Sequence, residues 1–198
     1  MAEVEELYNI LKEKLMKSEL EETISITTTV DLPKLDLALF KILIQDNGMS
    51  GIITCINRPH TYYAKLLSTN GINADDVYYV DACSPILHTP SESFFLDTDK
   101  PEKNVWFVRD ISDLSFLQIE LYEVAKRLVN TSKGKRGFLL LEGLASLGLY
   151  NDPTSLGKFL HDLSIRARSF HVYMIILMEK DDALGNLIRT ICDNNYQI

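Results

Sequence analysis

The sequence predicts an α/β fold, a mostly parallel central sheet between two layers of helices. Three observations carry that expectation. Runs such as Gly51–Ile56 and Gly137–Leu141 are almost wholly apolar, as strands covered on both faces must be. Between such runs, apolar residues recur at helical spacing, and the alternation persists from residue 23 to the end. The 198 residues are 46% hydrophobic, enough for one core that buries roughly 70% of the unfolded surface.

In chain order, residues 3–21 come first. They place Val4, Tyr8, Leu11 and Leu15 on one stripe of a helix, with Glu and Lys opposite. This stripe either packs on the chain's own sheet or meets a partner; two turns of heptad do not decide. Thr23–Thr29 alternates and is β-branched, so it reads as a strand that Val30–Asp31–Leu32–Pro33 ends. Leu35 to Leu43 has helical spacing and stops at Asn47–Gly48. Gly51–Ile56 is a strand, Thr61–Asn70 a helix, and Val77–Asp81 a strand. Residues 84–103 hold three of the six prolines and read as a long loop. Asn104–Val108 is a short strand, and Asp113–Val129 an amphipathic helix capped by Ser112 or Asp113. Strand Gly137–Glu142, helix Pro153–Phe170, strand Val172–Met178, helix Asp182–Asp193 and a closing strand Tyr196–Ile198 complete the chain. The expected organisation is an N-terminal helix over 1–22 packed on a single domain over 23–198.

Composition excludes several classes. The net charge of −8 argues against broad binding to nucleic acid or anionic membrane. No apolar run reaches the ~18 residues of a membrane helix, and the acidic N-terminus lacks a signal peptide's layout. Three cysteines without a CxxC fit a reducing cytoplasm, not a disulfide or zinc framework. The four histidines form no metal-binding pair. Cys83 and His88 lack an orienting third group, so they make no nucleophile and base. Lys133–Gly134–Lys135–Arg136 precedes a strand and reads as a solvated turn.

Two stretches carry a resemblance. GFLLLEGLASLGLYNDPTSLGKFLHDLSIRARS, from Gly137 to Ser169, joins an apolar strand ending in an acid to a turn and a long helix. GIITCINRPHTYYAKLLSTNGINADDVYYVDACS, from Gly51 to Ser84, runs strand, helix, and a strand closing in Asp. Over residues 20–198 this order resembles the RecA-type ATPase superfamily, and within it the small archaeal KaiC-like proteins. The resemblance implies a RecA-like fold with chemistry at the carboxyl ends of the strands. It also implies assembly with copies of itself or with other chains, since such relatives form rings or filaments.

The sequence departs from that pattern where ATP would be handled. Active relatives follow the first strand with a Gly-rich loop ending in GKT or GKS, whose amides and Lys hold phosphates. Here Val30–Asp31–Leu32–Pro33–Lys34–Leu35–Asp36 occupies that place, without glycine or a Lys–Ser/Thr pair. None of the nine glycines lies before Gly48. Where relatives place a Glu after the second strand to orient water, this chain has Asn57–Arg58–Pro59, and Arg58 cannot act as a base. Glu142 stands at the Walker B position, where Asp is commoner.

The expected function is therefore a non-hydrolysing pseudo-ATPase, a regulatory or assembly partner with no cofactor and no ATP site. The alternative is a binder or enzyme for a nucleotide or other anion at a strand-end cluster of Asn57, Arg58, Asp81 and Glu142. Candidate partner contacts are Tyr8, Leu11 and Leu15 of the first helix, and Phe94 and Phe95 of the loop. The two phenylalanines fit equally a lid tucked onto the domain.

Overall fold

The structure is a computed structural model that describes residues 2–15, 21–87, 104–132, 134–179 and 184–198. Seven strands form one sheet in the order β4-β3-β2-β5-β6-β1-β7. They are β1 Thr23–Thr28, β2 Ser50–Cys55, β3 Val77–Asp81, β4 Val105–Phe107, β5 Gly137–Leu141, β6 Val172–Glu179 and β7 Asn194–Gln197. Every pairing is parallel. All strand carboxyl ends therefore leave one edge of the sheet, and the turns that follow them share one surface.

Strand pleat sorts the core into two halves. Ile53, Phe138, Leu140 and Ile175 face one side, and Ile52, Leu139, Met174 and Ile176 the other. The first side is covered by α1 (Ala2–Leu15), α2 (Leu32–Phe40) and α3 (His60–Thr69). The second is covered by α5 (Leu114–Thr131), α6 (Leu144–Tyr150), α7 (Pro153–Ser169) and α8 (Gly185–Ile191). A helical turn, α4 (Ser84–Leu87), follows β3. The three-layer α/β/α expectation thus holds.

Local chemistry explains the element ends. Pro33 lies in the first turn of α2, where its missing N–H costs nothing. The helix therefore begins at Leu32, earlier than the apolar spacing suggests, and continues into a π-helical turn over Lys41–Asp46. Asp113 caps α5 by accepting from the Phe116 amide, and Asp152 caps α7 by accepting from Thr154 and Ser155. The segment after β5, expected as a turn, is helix α6. Gly51 lies where a Cβ would come within 2.1 Å of the Phe138 ring, so only glycine lets that ring cross the strand.

The first helix packs against its own domain. Leu11 is fully buried, and Tyr8 and Leu15 lean on the same core half. The Tyr8 hydroxyl donates to Asp46, which Lys12 Nζ also contacts at 3.0 Å. Of the expected partner contacts, Leu11 is thus withdrawn into the core, because the stripe needs the sheet face to bury it. Phe94 and Phe95, and with them most of the 84–103 loop, lie outside the described residues.

Candidate functional site

At the strand carboxyl ends lies an open cleft of about 640 Å³. Three turns, those after β1, β2 and β5, build it together with the carboxyl end of β6. Thr29–Val30–Asp31 links β1 to α2 and forms one wall. Asn57 and Arg58 follow β2, Glu142 and Gly143 follow β5, and Glu179 ends β6 in register with Thr28. Glu142 turns inward because Gly143, at φ +77°, reverses the chain beside it. A Cβ on Gly143 would meet Ile56 at 2.9 Å, so the turn requires glycine.

The turn after β1 has few amides to offer. Thr29 N–H donates to the Ile198 carbonyl at 3.2 Å, and Val30 N–H to Thr28 Oγ1 at 2.9 Å. Lys34 and Leu35 amides close the first turn of α2 on the Asp31 carbonyl, and Pro33 has no N–H. Asp31 holds the N-cap position, yet its side chain makes no capping bond. Lys34 points away and pairs with Glu3 of α1 at 2.7 Å.

Beneath the cleft lies a charged network. Arg58 Nη1 donates to Asp36 Oδ2 at 2.9 Å and stands 3.9 Å from Glu142 Oε2. Asp36 is completely buried on α2. The Tyr63 hydroxyl, from α3, donates to Glu142 Oε1, and the Tyr62 ring lies 4.9 Å from the Arg58 guanidinium carbon. One arginine thus serves two buried carboxylates, and Asp36 Oδ1 and Glu142 Oε2 have no hydrogen-bond partner. Burial, with the charge of Glu142, holds Asp36 well above the usual carboxylate range despite Arg58. Burial also raises Glu142, against the pull of Tyr63 and Arg58. Burial and the two carboxylates push the Tyr63 phenol far above its ordinary value, so it stays a donor.

The structure therefore brings Asn57, Arg58 and Glu142 together and leaves Asp81 out. Asp81 is fully buried, and its oxygens are saturated from its own surroundings. Oδ2 accepts from the His60 amide at 2.8 Å and Ser84 Oγ at 2.7 Å, and lies 2.6 Å from His60 Nδ1. Oδ1 accepts from the Cys83 and Ser84 amides at 2.9 and 2.7 Å. Burial works against the charge, but bonds from His60 and Ser84 outweigh it and hold Asp81 below the usual carboxylate range. Ser84 donates to Asp81 and not to His60, so the trio is a scaffold for the β3–α4 turn and not a charge relay. Cys83 is buried, and burial raises its thiol, while His88 lies outside the described residues. Among the described residues, no cluster of three His, Cys, Asp or Glu could hold a metal ion.

Two residues of the site escaped the sequence reading, Asp36 and Tyr63. Each sits on a helix where it reads as an ordinary polar or aromatic position. Only an arginine 22 residues from Asp36 reveals its part. The sole advance signal was a carboxylate between Leu35 and Leu37, on a helix apolar apart from Lys34.

Known structures place the fold. A KaiC-like protein from the hyperthermophilic archaeon Pyrococcus horikoshii superposes with a TM-score of 0.57 at 14% identity, over 87% of this chain and 70% of that one. An uncharacterized protein from the same organism, solved in complex with an unknown peptide, gives 0.64 at 14% identity, over 96% and 82%. The fold is KaiC-like and RecA-type. No family model matches the sequence. No curated protein matches it either. In this KaiC-like fold the cleft occupies the strand-end position at which α/β sheets bind ligands, while its walls carry Asp31, Glu142 and Glu179. No helix among the described residues is long and apolar enough to cross a membrane.

Proposed function

We propose that the protein is a RecA/KaiC-like domain that neither binds nor hydrolyses ATP and works through contacts with other proteins. The observation that carries this reading is the turn after β1. A phosphate cradle needs several free amides pointing at one spot, a basic residue and room for the anion. This turn has three residues, spends the Thr29 and Val30 amides internally, and directs Lys34 to Glu3. Asp31 is exposed at the N-cap, where triphosphate charge would be repelled.

The anion-binding alternative loses ground for a related reason. Arg58 is the cation it requires, and Arg58 is engaged with Asp36 and flanked by Glu142. In favour of a protein partner, Leu149 and Tyr150 stand 81% and 57% exposed at the end of α6, the helix that leaves the cleft. The peptide bound to one structural neighbour points the same way. Calorimetric titration with Mg-ATP and Mg-ADP tests the nucleotide half. No heat of binding is expected; low-micromolar binding that Lys34→Ala abolishes would overturn the reading.

A further inference from the structure

The cleft holds more negative charge than its own cation can meet. Arg58 is matched by Asp36 directly below it, at 2.9 Å. That leaves Asp31, Glu142 and Glu179 along the walls and floor. Asp31 and Glu179 are exposed, and the side chain of neither forms a hydrogen bond or ion pair with any described residue. Glu142 is the independent observation. Its side chain is 2% exposed on the cleft floor, and Oε2 has no hydrogen-bond partner. A buried carboxylate oxygen without a donor is costly, so its persistence beside a solvent-filled cleft asks for a ligand that brings donors.

The ligand's chemistry follows from the walls. An anion would meet three carboxylates and a single cation, Arg58, which Asp36 already engages. A metal ion needs converging donors, and none of the described clusters provides three. The space, about 640 Å³, suits an extended side chain and its flanking backbone. A planar guanidinium is weakly hydrated, forks toward two carboxylates at once and favours interface ion pairs.

We propose that this strand-end cleft receives an arginine side chain presented by a partner protein, with Asp31 and Glu179 engaging it at the rim and Glu142 below. The proposal rests on the protein-partner reading above and names the partner's chemistry at that site. Where a phosphate-binding relative would take an anion, this chain takes a cation.

The test uses the full chain, isotope-labelled, titrated with the blocked peptide acetyl-Gly-Ser-Arg-Ser-Gly-amide and followed by amide chemical shifts. The same peptide with citrulline is the uncharged isostere. Shifts are expected at Thr29, Asp31, Gly143 and Glu179 with the arginine peptide and not with citrulline. Asp31→Asn and Glu179→Gln should each weaken binding about threefold to fivefold, and together at least about tenfold. Glu123→Gln on α5, which removes the same charge far from the cleft in sequence, should leave binding unchanged. Equal response to citrulline, shifts scattered over the surface, or indifference to the double variant would overturn the proposal. Mg-ATP serves as the second titrant. Shifts at the same amides with ATP would refute the pseudo-ATPase reading itself, whereas silence from both titrants would refute the arginine site alone.

Discussion

Replacing Arg58 by methionine probes the charged floor of the cleft most directly. The aliphatic part of the side chain is kept, and the guanidinium between Asp36 and Glu142 is lost. Asp36 is fully buried and the Glu142 side chain 2% exposed, so neither finds water in exchange. Breaking a buried pair by removing one partner costs about 3–5 kcal/mol. Arg58 is itself 22% exposed, so the lower figure, about 3 kcal/mol, applies near neutral pH. For a chain of this size that is about 6–12 °C in Tm.

The cost should depend on pH, and its sign follows from the two carboxyls. Both Asp36 and Glu142 titrate above their unfolded values, raised by burial. Such groups favour the folded state fully below the unfolded carboxylate range, and that contribution fades as pH rises through their folded values. Arg58 opposes the upward shift in both, so its loss raises the folded values further and steepens the decline toward high pH. Urea unfolding followed by far-UV circular dichroism, at about pH 5 and about pH 8, reads this out. Protonation of the raised carboxyls is favoured at the lower pH, so the cost should be smaller there than at the higher pH. Adding Asp36→Asn to Arg58→Met should recover part of the loss at high pH. A cost equal at both pH values, or no recovery in the double variant, would refute the coupled network.

Two further outcomes follow from the structure. Asp81→Asn turns an amide toward the His60, Cys83 and Ser84 donors and should cost about 2–3 kcal/mol near neutral pH. Because Asp81 titrates below its ordinary value, its contribution is present above the usual carboxylate range and lost as pH falls through the folded value, so the penalty should shrink in acid denaturation. Leu11→Ala empties a fully buried position and should lower stability by about 2–5 kcal/mol in dilute protein. A partner-only contact would leave dilute stability unchanged, and that result would return α1 to the interface.

What the sequence made legible depends on how local the cause is. The strands announce themselves because a strand buried on both faces must be apolar at every position, as in Phe138–Leu141. The short helix Leu144–Tyr150 did not, since seven residues around Gly148 carry too little period, and its start depends on the reversal at Gly143. The N-terminal stripe was plain on Leu11 and Leu15, but a stripe says only that a face is buried, not against what. The site divides in the same way. Arg58 and Glu142 stand out at strand ends, while Asp36 and Tyr63 join them only through the parallel order that sets α2 and α3 on one face. Asp81 shares the strand-end position, yet the β3–α4 turn and His60 of α3 claim its bonding.

The β1–α2 turn and the charge of the cleft are better understood together than separately. In Thr29–Asp31 the Thr29 and Val30 amides, which could favour an anion at a strand–helix junction, are spent on Ile198 and Thr28. The same stretch carries two carboxylates, Asp31 and Asp36. Asp36 then needs a cation, and Arg58 from the end of β2 supplies it at 2.9 Å. That pairing leaves Arg58 shared and Glu142 only half satisfied, with its Oε2 facing a cleft edged by Asp31 and Glu179. Each step follows from the one before by charge alone. A cleft charged in this way suits the proposed guanidinium better than a phosphate, which is why the nucleotide and arginine titrations must be read on the same four amides.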